Sequence, residues 1–204
     1  MARSQKALEA LDDEVTAAGG NPLTLVPLDL KDGPALDQLA APLLDRFGRV
    51  DGLVAAAGIL GVIGPLQTIP PSEFEQTLAV NYTANWRLIR VLDPLLRRSE
   101  AGRAVFLTSG AAHDTRAFWG SYGATKAALE ALVGAWARET ANTALRVNLF
   151  NPGPTRTVMR QQAFPGEDPA TLPSPEEVAA AILPLLSPSL SVTAERFSFT
   201  RKTT

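Results

Sequence analysis

Tyr122 and Lys126 stand four residues apart on a stripe that continues through Leu129, Val133 and Trp136, so a helix would carry phenol and ammonium on one face. Bringing a free tyrosine from a pKa near 10 to about 7 takes roughly 4 kcal/mol. A cation about 4 Å away at an effective dielectric near 20 supplies about that much. A phenol so placed could give or take a proton at neutral pH. The same spacing also suits a half-buried tyrosine beside a lysine whose stem lies along apolar surface. Asn81 and Asn85 share a second stripe with Phe74, Leu78, Leu88, Leu92 and Leu95. A buried amide without a partner costs roughly 1–3 kcal/mol, so each needs one, which a neighbouring helix could supply as well as a site. Ser109, His113 and Asp114 invite a hydrolytic reading, but Thr108-Ser109-Gly110 lacks the glycine two before the serine of a nucleophile elbow. His113 is expected to be an ordinary exposed loop residue.

The elements that must position these groups alternate between helical period and short β-rich runs over 204 residues, the pattern of a single α/β domain with a parallel sheet. Helices are expected over Ser4 to Ala18, Pro34 to Phe47, Ser72 to about Arg98, Gly120 to Asn142 and Pro175 to Leu186. The third has capping-box spacing at Ser72 and Glu75. Strands are expected at Leu23 to Leu28, Gly52 to Ala57, Arg103 to Thr108, Ala144 to Phe150 and Arg196 to Phe199, with an irregular stretch from Asn151 to Pro173.

Ligands of open parallel sheets bind beyond the carboxyl ends of the strands. The residues there are Asp29, Ala57-Gly58, Ser109-Gly110 and Asn151-Pro152-Gly153. Composition removes other chemistries. There is no cysteine and one histidine, so no thiolate or histidine-rich metal site is expected. With 19 basic against 21 acidic residues the chain lacks the basic excess of a nucleic-acid binder. The most apolar stretch, Leu53 to Leu66, is broken by glycine and proline and too short to span a bilayer, and Met1 to Leu8 has no apolar signal core. A cytoplasmic location without membrane attachment is the expectation.

Ser109, Tyr122 thirteen residues on, Lys126 four further, Asn81 upstream and Asn151-Pro152-Gly153 downstream together resemble a classical short-chain dehydrogenase/reductase, in consistent order from about Met1 to Thr200. The resemblance implies a doubly wound, Rossmann-like sheet and hydride transfer between a nicotinamide cofactor and a small-molecule carbonyl or alcohol. It implies Tyr122 as general acid/base, Lys126 lowering its pKa and binding the nicotinamide ribose, Ser109 on the substrate oxygen, and Asn81 anchoring a water relay to Lys126. For the cofactor it implies Asp29 and Leu30 at the adenine, Ala57 and Gly58 in the turn after a strand, and Pro152, Gly153 and Thr155 at the nicotinamide. Arg3 inclines the expected cofactor to NADP over NAD, because a cation there can pair with a 2′-phosphate. The segment from Arg156 to Pro173 would cover the substrate, and a homodimer or homotetramer would form through the two long helices.

The sequence departs from the family at Ala56-Ala57-Gly58, where Asn-Ala-Gly is usual, and it opens on a helix, without the family's first βαβ unit and glycine-rich phosphate turn. The expectation is therefore an N-terminally truncated member. The alternative is a non-catalytic or partner-dependent remnant of such an enzyme.

Overall fold

The computed structural model describes residues 1–201. Four parallel strands, β1 (Gly52–Ala55), β2 (Arg103–Leu107), β3 (Arg146–Asn151) and β4 (Arg196–Ser198), lie side by side in chain order. Val54 pairs with Val105, Val105 with Asn148, and Phe150 with Phe197. Alternate side chains of a strand face opposite ways, and the sequence loads both faces of this sheet with apolar groups. Ala104, Phe106, Val147 and Leu149 pack on one side with the helices α5 (Ala84–Leu96) and α6 (Gly120–Glu139). Val105 and Phe150 pack on the other with Val178 of α8 (Pro175–Ala180), Ile182 and Leu185. This is the doubly wound α/β arrangement.

Helix α6 is fastened at its far end by Trp136. Its ring meets Phe106 edge-on at 6.0 Å, and its Nε1 donates to Asp93 Oδ1 of α5 at 2.7 Å. The first turn of α6 is thereby laid over the carboxyl end of β2.

Several boundaries differ from expectation for identifiable reasons. Leu23 to Leu28 is not a strand. It makes one parallel bridge, Pro27 with Ala2, while the N–H of Leu23 goes to the carboxylate of Asp12 in α1 (Gln5–Ala17). The expected helix over Pro34 to Phe47 is two, α2 (Gly33–Asp37) and α3 (Ala40–Phe47). Pro42 has no N–H to give Gln38, so the chain breaks there and Pro42 falls in a first turn, where no donor is missed. Ser72 caps nothing: α4 (Pro71–Leu78) starts at Pro71, leaving Ser72 inside the helix. The capping box of this chain is Ser174 with Glu177 at the start of α8. Pro184, which cannot donate to Ala180, ends α8 early and leaves a 3₁₀ turn over Leu183–Leu186.

Between α4 and α5 the helix widens into a π turn, Ala79–Thr83. After β3 comes a short helix, α7 (Val158–Ala163), inside the stretch expected to be irregular. Among the described residues no helix is long and apolar enough to cross a membrane.

Arg103 opens β2 almost wholly out of water, at 4% exposure. Its donors all go to carbonyls: Nε to Ser187 at 2.9 Å, Nη1 to Gly102 at 2.7 Å and Ala144 at 3.1 Å, Nη2 to Pro188 at 2.6 Å and Leu190 at 2.9 Å. It thus ties the approach to β4 to the central strands. Arg103→Met keeps the apolar stem and strands those carbonyls, at about 1–3 kcal/mol for an unsatisfied buried group. Urea denaturation should show a loss of about 3 kcal/mol, with Arg103→Lys, which has fewer donors, in between.

Candidate active site

β2 ends at Leu107, and Ser109 caps a 3₁₀ turn over Gly110–Ala112, its Oγ accepting from the N–H of Ala111 at 3.2 Å. The chain then runs through an exposed loop to α6, whose first turn holds Tyr122 and whose second holds Lys126, 8% and 4% exposed. Gly123 lets these pieces meet: a Cβ on it would stand 2.7 Å from the carbonyl oxygen of Ala111, so the turn after Ser109 can press on the start of α6.

Lys126 Nζ donates to the carbonyl of Leu107 at 2.9 Å and lies 5.9 Å from the centre of the Tyr122 ring. Burial dominates the electrostatics. It pushes the Tyr122 phenol above its usual range, with the Ser109 hydroxyl pulling the other way through a hydrogen bond. It lowers the Lys126 ammonium to about 8, opposed by the charge of Glu130. In the resting site desolvation therefore outweighs any pull of Lys126 on the phenol: the ammonium is turned to the Leu107 carbonyl, and burial moves the two groups in opposite directions. At neutral pH Tyr122 carries its proton and Lys126 its charge.

Asn81, fully buried in the π turn, is satisfied on every side. Its Oδ1 accepts from Ile59 N at 2.9 Å, and its Nδ2 donates to Ile59 O at 2.9 Å and to Thr125 Oγ1 of α6 at 3.1 Å. Asn85 Nδ2 donates to the carbonyl of Asn81 at 2.9 Å. The amides thus find partners in the loop after β1, in α6 and in their own helix. Gly58 lies against both Asn81 and Lys126; a Cβ there would be 3.3 Å from Asn81 Oδ1 and 3.6 Å from Lys126 Nζ.

Because the sheet is parallel, Ala57-Gly58 after β1, Ser109 after β2 and Pro152-Gly153 after β3 share one edge. Gly153 has a φ of +65° and open space where a Cβ would go, its N–H held by Asn151 Oδ1 at 3.1 Å. The Thr155 hydroxyl turns back to the carbonyl of Gly153 at 3.3 Å. Arg3 is exposed beside the Ala2 bridge. Asp29 and Leu30 are half-buried, with Asp29 Oδ1 accepting from Lys31 N at 2.9 Å. These three positions share no hydrogen bond with the Tyr122 cluster.

No Ser-His-Asp set assembles. Asp114 pairs with Arg116 at 2.9 Å, and His113, its ring exposed, turns its Nε2 to Glu130 Oε2 at 2.7 Å. The histidine is more than a bystander in a loop. Gly123, Glu130 and Trp119, whose ring meets Tyr122 edge-on at 6.0 Å, escaped the reading of the sequence. Glu130 was the most detectable, four residues beyond Lys126 on the same stripe.

The comparisons with known proteins agree with this architecture. The short chain dehydrogenase family model matches residues 1–168, and the chain belongs to that family. It is 40% identical over 149 residues to the uncharacterized oxidoreductase YciK of Escherichia coli K12, covering 73% of this chain and 59% of the relative. It is 33% identical over 147 residues to 2,3-dihydro-2,3-dihydroxybenzoate dehydrogenase of the same organism, again 59% of the relative's length. The matched segment thus spans about three fifths of these curated relatives. Among solved structures, a short chain dehydrogenase from Salmonella enterica serovar Typhi superposes with a TM-score of 0.93 at 34% identity, covering 97% of this chain and 82% of the other. One from Escherichia coli CFT073, complexed with NADPH, gives 0.91 at 34% identity over 96% and 82%.

The lysine has a consequence for stability. Folded Lys126 titrates near 8 and the unfolded side chain near 10.5. Between these values the unfolded chain holds a proton that the folded one lacks, so stability rises with pH; below 8 the penalty is fully present. From pH 7 to pH 9.5 the wild-type protein should gain about 2 kcal/mol more than Lys126→Met in urea denaturation. Equal gains would mean an amine of ordinary pKa.

Proposed function

We propose that this chain carries the catalytic part of an NAD(P)-dependent oxidoreductase moving a hydride between a nicotinamide cofactor and a small-molecule carbonyl or alcohol. The observation that supports this most is the buried Tyr122 phenol, one turn from the Lys126 ammonium on the helix against which the Ser109 turn packs at Gly123, at the carboxyl edge of the sheet.

The residues present suit such a cofactor. Gly58 and Gly153 keep that edge free of side chains, and a Cβ on Gly58 would crowd the amide oxygen of Asn81. Lys126 has spent one of its three donors on Leu107, leaving others for ribose hydroxyls. Ala57, Gly58, Pro152, Gly153 and Thr155 would border the nicotinamide half, and Asp29, Leu30 and Arg3 the adenosine half. A nicotinamide dinucleotide, when bound, supplies or accepts the hydride.

The chain's own groups manage the oxygen. Ser109 Oγ and Tyr122 Oη hold a substrate carbonyl, and the phenol, kept protonated by burial, passes its proton to the oxygen as negative charge grows there. The Lys126 ammonium then stabilises the phenolate left behind. Alcohol oxidation runs the same transfer backwards. Asn81 holds the loop after β1 to α6, and we assign it the anchoring of a water relay to Lys126. NADP is favoured over NAD by Arg3, and one related solved structure is complexed with NADP. The reading extends to a cytoplasmic homodimer or homotetramer built on the two long helices, where Phe74 and Trp86 stand 40% and 42% exposed.

The purified protein should oxidise NADPH in the presence of a panel of ketones and aldehydes. Tyr122→Phe should lower the rate at least about 10²-fold, the lower range for general acid–base catalysis, and Ser109→Ala should also be strongly impaired. An unchanged rate in Tyr122→Phe overturns the assignment. Arg3→Ala should weaken NADP binding about tenfold, the loss of one charge-assisted contact, and leave NAD nearly unaffected in titration calorimetry.

A further inference from the structure

Glu130 has no part in the chemistry above, yet it is the most heavily engaged carboxylate near it. Its side chain is 13% exposed and sits on α6 one turn beyond Lys126 and two beyond Tyr122. A carboxylate that far out of water costs several kcal/mol unless it is paired and hydrogen-bonded. Here three partners converge on it from three segments. The Thr108 hydroxyl donates to Oε1 at 2.5 Å from the end of β2. His113 Nε2 lies 2.7 Å from Oε2, at the far end of the turn that Ser109 caps. Arg196 Nε of β4 lies 3.2 Å from Oε1, while its Nη2 points at the carbonyl of Ser109 at 3.4 Å.

These partners bracket Ser109. Thr108 precedes it, His113 follows the three-residue turn that starts from it, and Arg196 reaches its carbonyl. We propose that Glu130 is a positioning residue whose carboxylate clamps the segment from Thr108 to His113 onto α6 and so sets the place of the Ser109 hydroxyl relative to Tyr122. This rests on the functional reading above.

The clamp has a mechanical logic. The Ser109 turn presses on α6 through Ala111 against Gly123, a steric contact that calls for a polar anchor beside it. Glu130 supplies that anchor two turns further along the helix. Without it the residues flanking Ser109 would be free to shift, and a displacement of about 1 Å at a reacting centre costs on the order of 10²-fold in rate. The same charge has a second effect, since it favours the ammonium of Lys126 against the burial that disfavours it. The charged and titratable groups facing Glu130 are Lys126 on its own helix, His113 from the loop and Arg196 from β4.

The test uses the full protein with its cofactor and a carbonyl substrate that the wild type turns over. Glu130→Gln keeps the size and one acceptor oxygen but removes the charge; Glu130→Ala removes both. Glu130→Ala should lower kcat about 10²-fold with cofactor KM changed less than about threefold, because the alignment of the substrate oxygen is lost and the cofactor edge is not. Glu130→Gln should lose less in kcat. It should also move the Lys126 titration down by about one pH unit, read from the Lys126 side-chain NMR signal and from the alkaline limb of kcat/KM. His113→Ala should reproduce part of the kcat loss without that shift.

Wild-type kcat in Glu130→Ala overturns the proposal. So does a kcat loss that tracks thermal stability across all three variants with no change in the lysine titration, since that is what a merely structural residue would give. If Glu130→Ala does not fold, Glu130→Gln decides: the proposal falls if its kcat and its Lys126 titration both match the wild type. Tyr122→Phe, assayed alongside, separates the outcomes. If it is inactive while the Glu130 variants behave as wild type, only this inference fails; if it is fully active, the functional reading itself fails.

Discussion

Everything at the carboxyl edge of the sheet depends on one hydrogen bond, from the Lys126 ammonium to the carbonyl of Leu107. That carbonyl ends β2, and the ammonium is almost completely removed from water. A buried cation tolerates little change in its surroundings, because a lost partner is not replaced by solvent. Helix and strand end are therefore held in a single relative position. Trp136 makes the matching contact at the far end of α6, its ring on Phe106 and its N–H on Asp93. Between those two points the helix has no freedom to slide, and the placement of Tyr122 follows.

Asn81 performs a similar service for the neighbouring strand. The π turn offers its amide to both backbone groups of Ile59 and to Thr125, so the loop leaving β1 is pinned to α6. π turns are rare and cluster at functional sites. Here the widening places a fully satisfied amide beside Gly58 and Lys126, where a Cβ would press tightly on the amide oxygen at 3.3 Å. The site is assembled by contacts made to one helix: Leu107 at Lys126, Ile59 through Asn81 at Thr125, Ala111 at Gly123, and Thr108 and His113 at Glu130.

Desolvation, rather than the attraction between phenol and ammonium, governs the resting protonation. Burial raises the phenol and lowers the amine, keeping the first neutral and leaving the second charged near pH 7. Glu130 works against the second shift, so a group outside the phenol–ammonium pair helps decide its charge. A neutral phenol can donate its proton, which is what the proposed carbonyl reduction would need at its outset.

Much of this was legible from residue order. Alternating apolar runs announced a parallel α/β sheet, and Ser4, Gly48 and the stripe of Leu88, Leu92 and Leu95 marked helix ends and buried faces correctly. The spacing of Tyr122 and Lys126 put phenol and ammonium on one helix face because i,i+4 proximity is a local property of a helix, whereas Ser109 joined them only through the resemblance to a family. Local rules failed where nonlocal partners or proline intervened. Leu23 to Leu28 has strand composition, but a strand exists only with a ladder beside it, and this segment found one bridge at Ala2. Ser72 had capping-box spacing, but Pro71 drew the helix start past it. The partners of Asn81, the anchoring of Lys126 and the convergence of Thr108, His113 and Arg196 on Glu130 join residues 17 to 66 positions apart. The sequence by itself determined which side chains were available and which helix carried them. Only the tertiary structure decided their protonation and their partners, because burial and distance between segments far apart in the chain are properties of the packed fold.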